Sequence, residues 1–240
     1  MPYHPLPMEF RPRQRRGSFS WQPVTYGSSR LGAPLEVWRP AGPCEILMFA
    51  GIHGDEPEST NVLSWAVRHL EAPSPHCAVV LAANPDGLSR GTRANAAGVD
   101  LNRGFPASNW QADPVVYRVL SDEPRDVTLS PGAAPGCEPE VQALMRLIAE
   151  LQPRTAVIAV HAPLACVEDP EQSDLGRWLA ERSGMPLVDD VGYATPGSFG
   201  SWAAEAGWHE ITYELPIAAG EHHLRRHSPL FAELLVREDL

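Results

Sequence analysis

Four short apolar runs constrain this chain more than any other feature: EILMFAGI at 45–52, CAVVLAA at 77–83, TAVIAV at 155–160 and ITYEL at 211–215. Apart from Glu214 near the end of the last, none carries a charge in its interior, and turn-forming residues bound each one. Runs this short and this uniformly apolar fit strands covered on both faces, as in a parallel sheet between layers of helices.

Helical patterns lie between the runs. In 58–70, Val62, Leu63, Ala66, Val67 and Leu70 share one face, and Pro57 suits a first helical position. In 138–151, Val141, Leu144, Met145, Ile148 and Leu151 recur at helical spacing. Glu138 and Glu140 sit at its start, where the helix dipole favours acids. Segments 173–183 and 228–236 show fainter versions. The alternation predicts an α/β fold with a mixed, largely parallel twisted sheet flanked by helices. The stretch 103–137 is rich in turn residues and reads as a long functional or mobile loop. A length of 240 residues suits one domain, expected at 21–240, after a flexible basic arm at 1–20 that contains RPRQRRG.

Charge and composition exclude some partners. A net charge of -11 argues against nucleic acid, since nothing offsets repulsion from phosphates. No run approaches the ~18 apolar residues of a membrane span, so no membrane partner is expected. The Arg15–Arg16 pair is followed by polar GSFSWQPVTYG, unlike a twin-arginine export signal. A cytoplasmic protein is expected, with Cys44, Cys77, Cys137 and Cys166 reduced. A homodimer is left open.

The strand-like runs end on polar groups: His53, Asn84, His161 and, inside the last run, Glu214. Ligands of open α/β sheets bind outside the carboxyl ends of the strands. His53, Glu56 and His161 together form a two-histidine, one-carboxylate set of the catalytic zinc kind, with a fourth position left for water. Water at such a site needs a base to take its proton, and Glu214 in ITYELP is the candidate.

The segments GIHGDE and NPDGLSRGTRANAAGVDLNRGFP (84–106) add a resemblance to the zinc carboxypeptidase family. That family orders an HxxE pair, an arginine, an Asn-Arg pair within D-x-N-R, a distal histidine and a glutamate. Here they correspond to His53 and Glu56, Arg93, Asn102 and Arg103, His161, and Glu214. Gly104 stands where the family usually has a second Asn. The resemblance implies a carboxypeptidase-like fold and one Zn²⁺ per chain on His53, Glu56 and His161. It also implies that Glu214 is the base, that Arg93 faces the developing oxyanion, and that Asn102 and Arg103 bind the substrate's free carboxylate. A Cys–His hydrolase using Cys166 and His161 would leave the rest of this set without a role.

The segments HAPLACVEDP, GYATPGSFGSWAAE and YGSSRLGAPLEVW further resemble a bacterial branch of the family that acts on murein peptides. They imply hydrolysis of the γ-D-glutamyl–meso-diaminopimelate bond in L-Ala-γ-D-Glu-meso-Dap, during recycling of cell-wall peptides. Diaminopimelate carries a second amine and carboxylate. Glu168 and Asp169 are candidates for the amine, Ser198 and Ser201 for the carboxylate, and Tyr193 as a further hydrogen-bonder. Two other functions fit the same residues: an acyl-amino-acid deacylase of the same superfamily, and a non-catalytic muropeptide sensor. A sensor has no need of a base such as Glu214.

Overall fold

The computed structural model describes residues 18–119 and 125–237, so most of the expected basic arm lies outside the described residues. A hairpin of β1 (Val24–Ser28) and β2 (Pro34–Val37) opens the described chain. The central sheet has six strands: β3 (Ile46–Ala50), β4 (Cys77–Val80), β7 (Ala156–His161), β8 (Leu164–Glu168), β9 (Leu187–Val188) and β10 (Glu210–Pro216). Their order is β4-β3-β7-β10-β8-β9. All neighbours run parallel except β10 and β8. The expected mixed, largely parallel sheet is therefore present. A separate hairpin of β5 (Val115–Val119) and β6 (Arg125–Leu129) occupies part of the stretch read as loop.

Alternation along each strand divides the core in two. Ile46, Met48 and Ala50 of β3 point to one face of the sheet, with Ile158 and Val160 of β7 and Ile211, Tyr213 and Leu215 of β10. That face is covered by α1 (Pro57–His69), α4 (Asp174–Ser183) and α7 (Ser228–Leu234), the last preceded by α6 (Gly220–Arg226). Leu47, Phe49, Val157 and Ala159 point to the other face, against α3 (Pro139–Leu151) and α5 (Phe199–Glu205). Both faces of β3 and β7 are thus buried, which explains the unbroken apolar runs. No described helix is long and apolar enough to cross a membrane. All four cysteines are free thiols.

The short helix α2 (Pro85–Arg90) braces two loops. Asn84 caps it, accepting from the Gly87 N–H at 2.9 Å, while its Nδ2 donates to the carbonyls of Ile52 and Arg93. Gly54 packs on this brace: a Cβ at Gly54 would lie 2.0 Å from the Gly87 carbonyl carbon. Only a residue without a side chain lets the two backbones touch there. We expect Gly54→Ala to lower stability by about 1–3 kcal/mol through overpacking, read as an earlier urea midpoint. An unchanged midpoint would contradict the close approach.

Candidate active site

The turn from β3 into α1 sets the position of the first two candidate ligands. β3 ends at Ala50, and Gly51 takes φ +62, a left-handed conformation that breaks the strand. Pro57 then starts α1 with its fixed φ and missing N–H, both suited to a first turn. Glu56 holds the N-cap position but makes no side-chain cap bond. Its carboxylate turns inward instead.

That carboxylate is the hub of the site. Glu56 is 5 % exposed. Oε1 meets His53 Nδ1 at 2.8 Å and accepts from Arg93 Nη1 at 3.1 Å. Oε2 meets His161 Nδ1 at 3.0 Å and accepts from the Ala162 N–H at 3.2 Å. Burial disfavours the charged carboxylate, but His53 and His161 hold it ionised far below the usual range. His161 arrives from β7, in parallel register with Glu214 of β10.

The three groups suit a metal. Their ligand atoms all lie within 4.8 Å of one another, and each is buried. Two imidazoles and one carboxylate are the donors zinc takes in catalytic sites. Asp100 adds the outer support: its Oδ1 is 3.1 Å from His53 Nε2, which leaves Nδ1 as the ligating atom. Burial and Arg93 press the His53 pKa down, yet Glu56 and Asp100 together hold it above its ordinary value.

Arg93 lies across the same centre. Its Nε donates to Asp100 Oδ2 at 3.1 Å, and its Cζ sits 4.0 Å from the Tyr117 ring centroid, a cation–π contact from β5. Asn102 and Arg103 occupy a 3-10 turn, Leu101–Arg103, capped by Asp100. The Phe199 N–H takes the Asn102 amide oxygen at 2.8 Å, leaving the amide NH₂ as a donor. Arg103 Nη1 donates to the Asn102 carbonyl at 2.7 Å, whereas its buried Nε has no hydrogen-bond partner among the described residues. A buried guanidinium N–H in that condition suits an incoming carboxylate.

Glu214 stands on β10 with 7 % exposure, accepting from the Leu164 N–H at 3.2 Å. Burial raises its pKa; His161 works against this and Glu56 adds to it. A raised carboxyl suits a group that must take and return a proton near neutral pH. Cys166 pairs with Glu214 across β8 and β10. Burial, then Glu214 and Glu168, push its thiol up to about 11, the reverse of an activated thiolate. His161 is engaged through Nδ1 with Glu56, so the geometry gives the Cys–His alternative no support.

One cavity of about 1180 Å³ takes in His53, Glu56, Arg93, Asn102, Arg103 and Glu214, and Glu168, Tyr193 and Ser198 also line it. Tyr193 is exposed on its rim. Ser198 is buried and caps α5, accepting from the Ser201 N–H at 3.1 Å. Asp169, the other carboxylate considered for an amine, faces elsewhere: it binds Ser173 and His209 and is fully buried. Three residues of the site were not singled out from sequence as part of it. Asp100, which begins the D-x-N-R segment, binds both His53 and Arg93. Tyr117 lies in the unrecognised hairpin. Glu210 lies one residue before the apolar run that ends β10, and it too lines the cavity.

Asp100→Asn should weaken zinc binding by about 10–100-fold without abolishing it, measured by competition with a chelator. Unchanged affinity would show that Asp100 does not orient His53.

The comparisons with known proteins agree with this geometry. Residues 23–163 match the family model "Zinc carboxypeptidase". The chain is 49% identical over 229 residues to murein peptide amidase A of Escherichia coli (strain K12), covering 94% of both proteins. It matches the crystal structure of the murein-tripeptide amidase from Escherichia coli O157 with a TM-score of 0.87 and 48% identity, covering 94% of this chain and 96% of that one. Thrombin activatable fibrinolysis inhibitor shares the fold at 17% identity, with a TM-score of 0.67 over 92% of this chain and 71% of that chain. With the family's ligands, arginine and glutamate gathered at one sheet edge and its model matched over more than half the length, this chain belongs to the zinc carboxypeptidase family.

Proposed function

We propose that the chain is a zinc-dependent murein peptide amidase that hydrolyses the γ-D-glutamyl–meso-diaminopimelate bond of L-Ala-γ-D-Glu-meso-Dap. The observation that carries this is the 49% identity to murein peptide amidase A along nearly the whole of both chains. The place assigned to the reaction is the cytoplasm, in recycling of cell-wall peptides, with residues 21–240 acting as one catalytic domain. Pairing into a homodimer is compatible with this function but not required by it.

His53, Glu56 and His161 would hold the zinc, which polarises the scissile carbonyl and brings the pKa of water down to roughly 7. Glu214 takes the proton of the attacking water and returns it to the leaving amine. Arg93, fixed by Glu56 and Asp100, places a permanent charge beside the oxygen that becomes negative. Asn102 and Arg103 hold the carboxylate next to the cut bond, the unpartnered Arg103 Nε supplying one donor. Tyr193, exposed on the rim of the cavity, is a further hydrogen-bonder to the bound peptide. Ser198 and Glu168 line the part of the cavity that takes the diaminopimelate side chain.

Glu214→Gln should keep its zinc and lose about 10²–10⁴-fold in turnover. The assay is release of free diaminopimelate from the tripeptide, followed by mass spectrometry, with metal content measured on the same sample. Full turnover in that variant would remove Glu214 from the chemistry. No release by zinc-loaded wild type would favour the deacylase or the non-catalytic sensor.

A further inference from the structure

We infer that Glu210, with Glu168 opposite, forms the end of the cavity that receives a cationic group on the terminal residue of the substrate, at a depth set by strand β10. The inference rests on the proposed peptidase reading and names the group that the site selects.

Strand alternation places the parts. Ile211, Tyr213 and Leu215 face the core, so Glu210, Thr212 and Glu214 share the opposite face. All three line the cavity. At about 3.3 Å per residue, Glu210 lies roughly 13 Å along the strand from Glu214. Glu168 of β8 sits directly across from Thr212, so the two carboxylates flank one threonine. Position 200, at the start of α5, bounds the far side: a Cβ there would come 3.2 Å from Glu210 Oε2, and glycine leaves that oxygen room.

The local electrostatics are uncompensated. Glu210 accepts from Thr212 Oγ1 at 2.7 Å, and the charged groups that act on it are other carboxylates, Glu168 and Asp169. Burial, opposed by that hydrogen bond and reinforced by these charges, pushes its carboxyl up to about 8. Asp169 differs, because Ser173 and His209 satisfy it and bring its pKa down against the cost of burial. A substrate ammonium, with three donors, would satisfy both Glu168 and Glu210 at once and favour their charged forms. A terminal side chain ending in a methyl group would leave these half-buried carboxylates with only the Thr212 hydroxyl and the Val191 backbone and no cationic partner, which is how a polar site rejects an apolar side chain.

The test uses the zinc-loaded enzyme and three peptides, L-Ala-γ-D-Glu followed by meso-diaminopimelate, L-lysine or L-norleucine. Lysine keeps the distal amine, whereas norleucine has hydrogen in its place and ends in the Cε methyl group. The wild type should favour lysine over norleucine by about tenfold or more in kcat/KM. Glu210→Gln should erase most of that preference and raise KM for the diaminopimelate peptide more than it lowers kcat. Glu168→Gln should act in the same direction, and it provides the test if the first variant fails to fold. A wild type indifferent to the amine, or variants that keep its preference and its KM, would overturn the inference while leaving the amidase standing. A wild type that cleaves none of the three peptides would overturn the amidase reading and this inference with it.

Discussion

The Glu56 carboxylate is the interaction on which the rest of the site depends. An isolated carboxylate buried this deeply would cost several kcal/mol or give up its charge. Here four groups converge on it: His53 from the same turn, Arg93 from the loop after α2, and His161 with the Ala162 N–H at the end of β7. Each of these neighbours also has work of its own. The histidines are the other metal ligands, and Arg93 is the fixed charge beside them. Removing the carboxylate would leave two imidazoles and a guanidinium facing one another, a loss on the scale of a broken buried ion pair, about 3–5 kcal/mol.

The sheet explains why these groups meet. Parallel neighbours β3, β7 and β10 end at one edge, so side chains just beyond or at their carboxyl ends fall together. Register then refines the placement. His161 lies level with Glu214 on adjacent parallel strands, and β10 continues backward from Glu214 through Thr212 to Glu210 along the same face. Chemistry at one end of a strand and selection at the other are thus tied to a rigid element rather than to loops, where positions are held less closely.

Much of this could be read from sequence because it rests on short-range signals. The runs that became β3, β4 and β7 are buried on both faces, the run of β10 buries one face and lines the cavity with the other, and α1, α3 and α4 start within a residue of where their spacing puts them. The metal set was readable because its members sit at strand ends. Other parts depend on contacts that no local pattern records. β8 pairs antiparallel in a mostly parallel sheet, and its sequence, LACVE, holds only two fully apolar buried positions. The hairpin of β5 and β6 lies among prolines and charges, so its strands were hidden in what looked like loop, along with Tyr117. Asp169 and Glu168 look equivalent in CVEDP, but Glu168 ends β8 on the cavity side while Asp169, one residue past the strand, binds Ser173 and His209. Glu210 gives no signal alone; it matters through its place on the cavity face of β10.

The central claim is that the buried Glu56 hub holds a single zinc ion. Anomalous diffraction recorded at the zinc edge, on crystals of the protein purified with zinc, tests it most directly. One strong peak among His53 Nδ1, His161 Nδ1 and the Glu56 carboxylate is the predicted result. Bound zinc located only elsewhere on the molecule, or crystals of folded protein with no peak at these three residues, would contradict it.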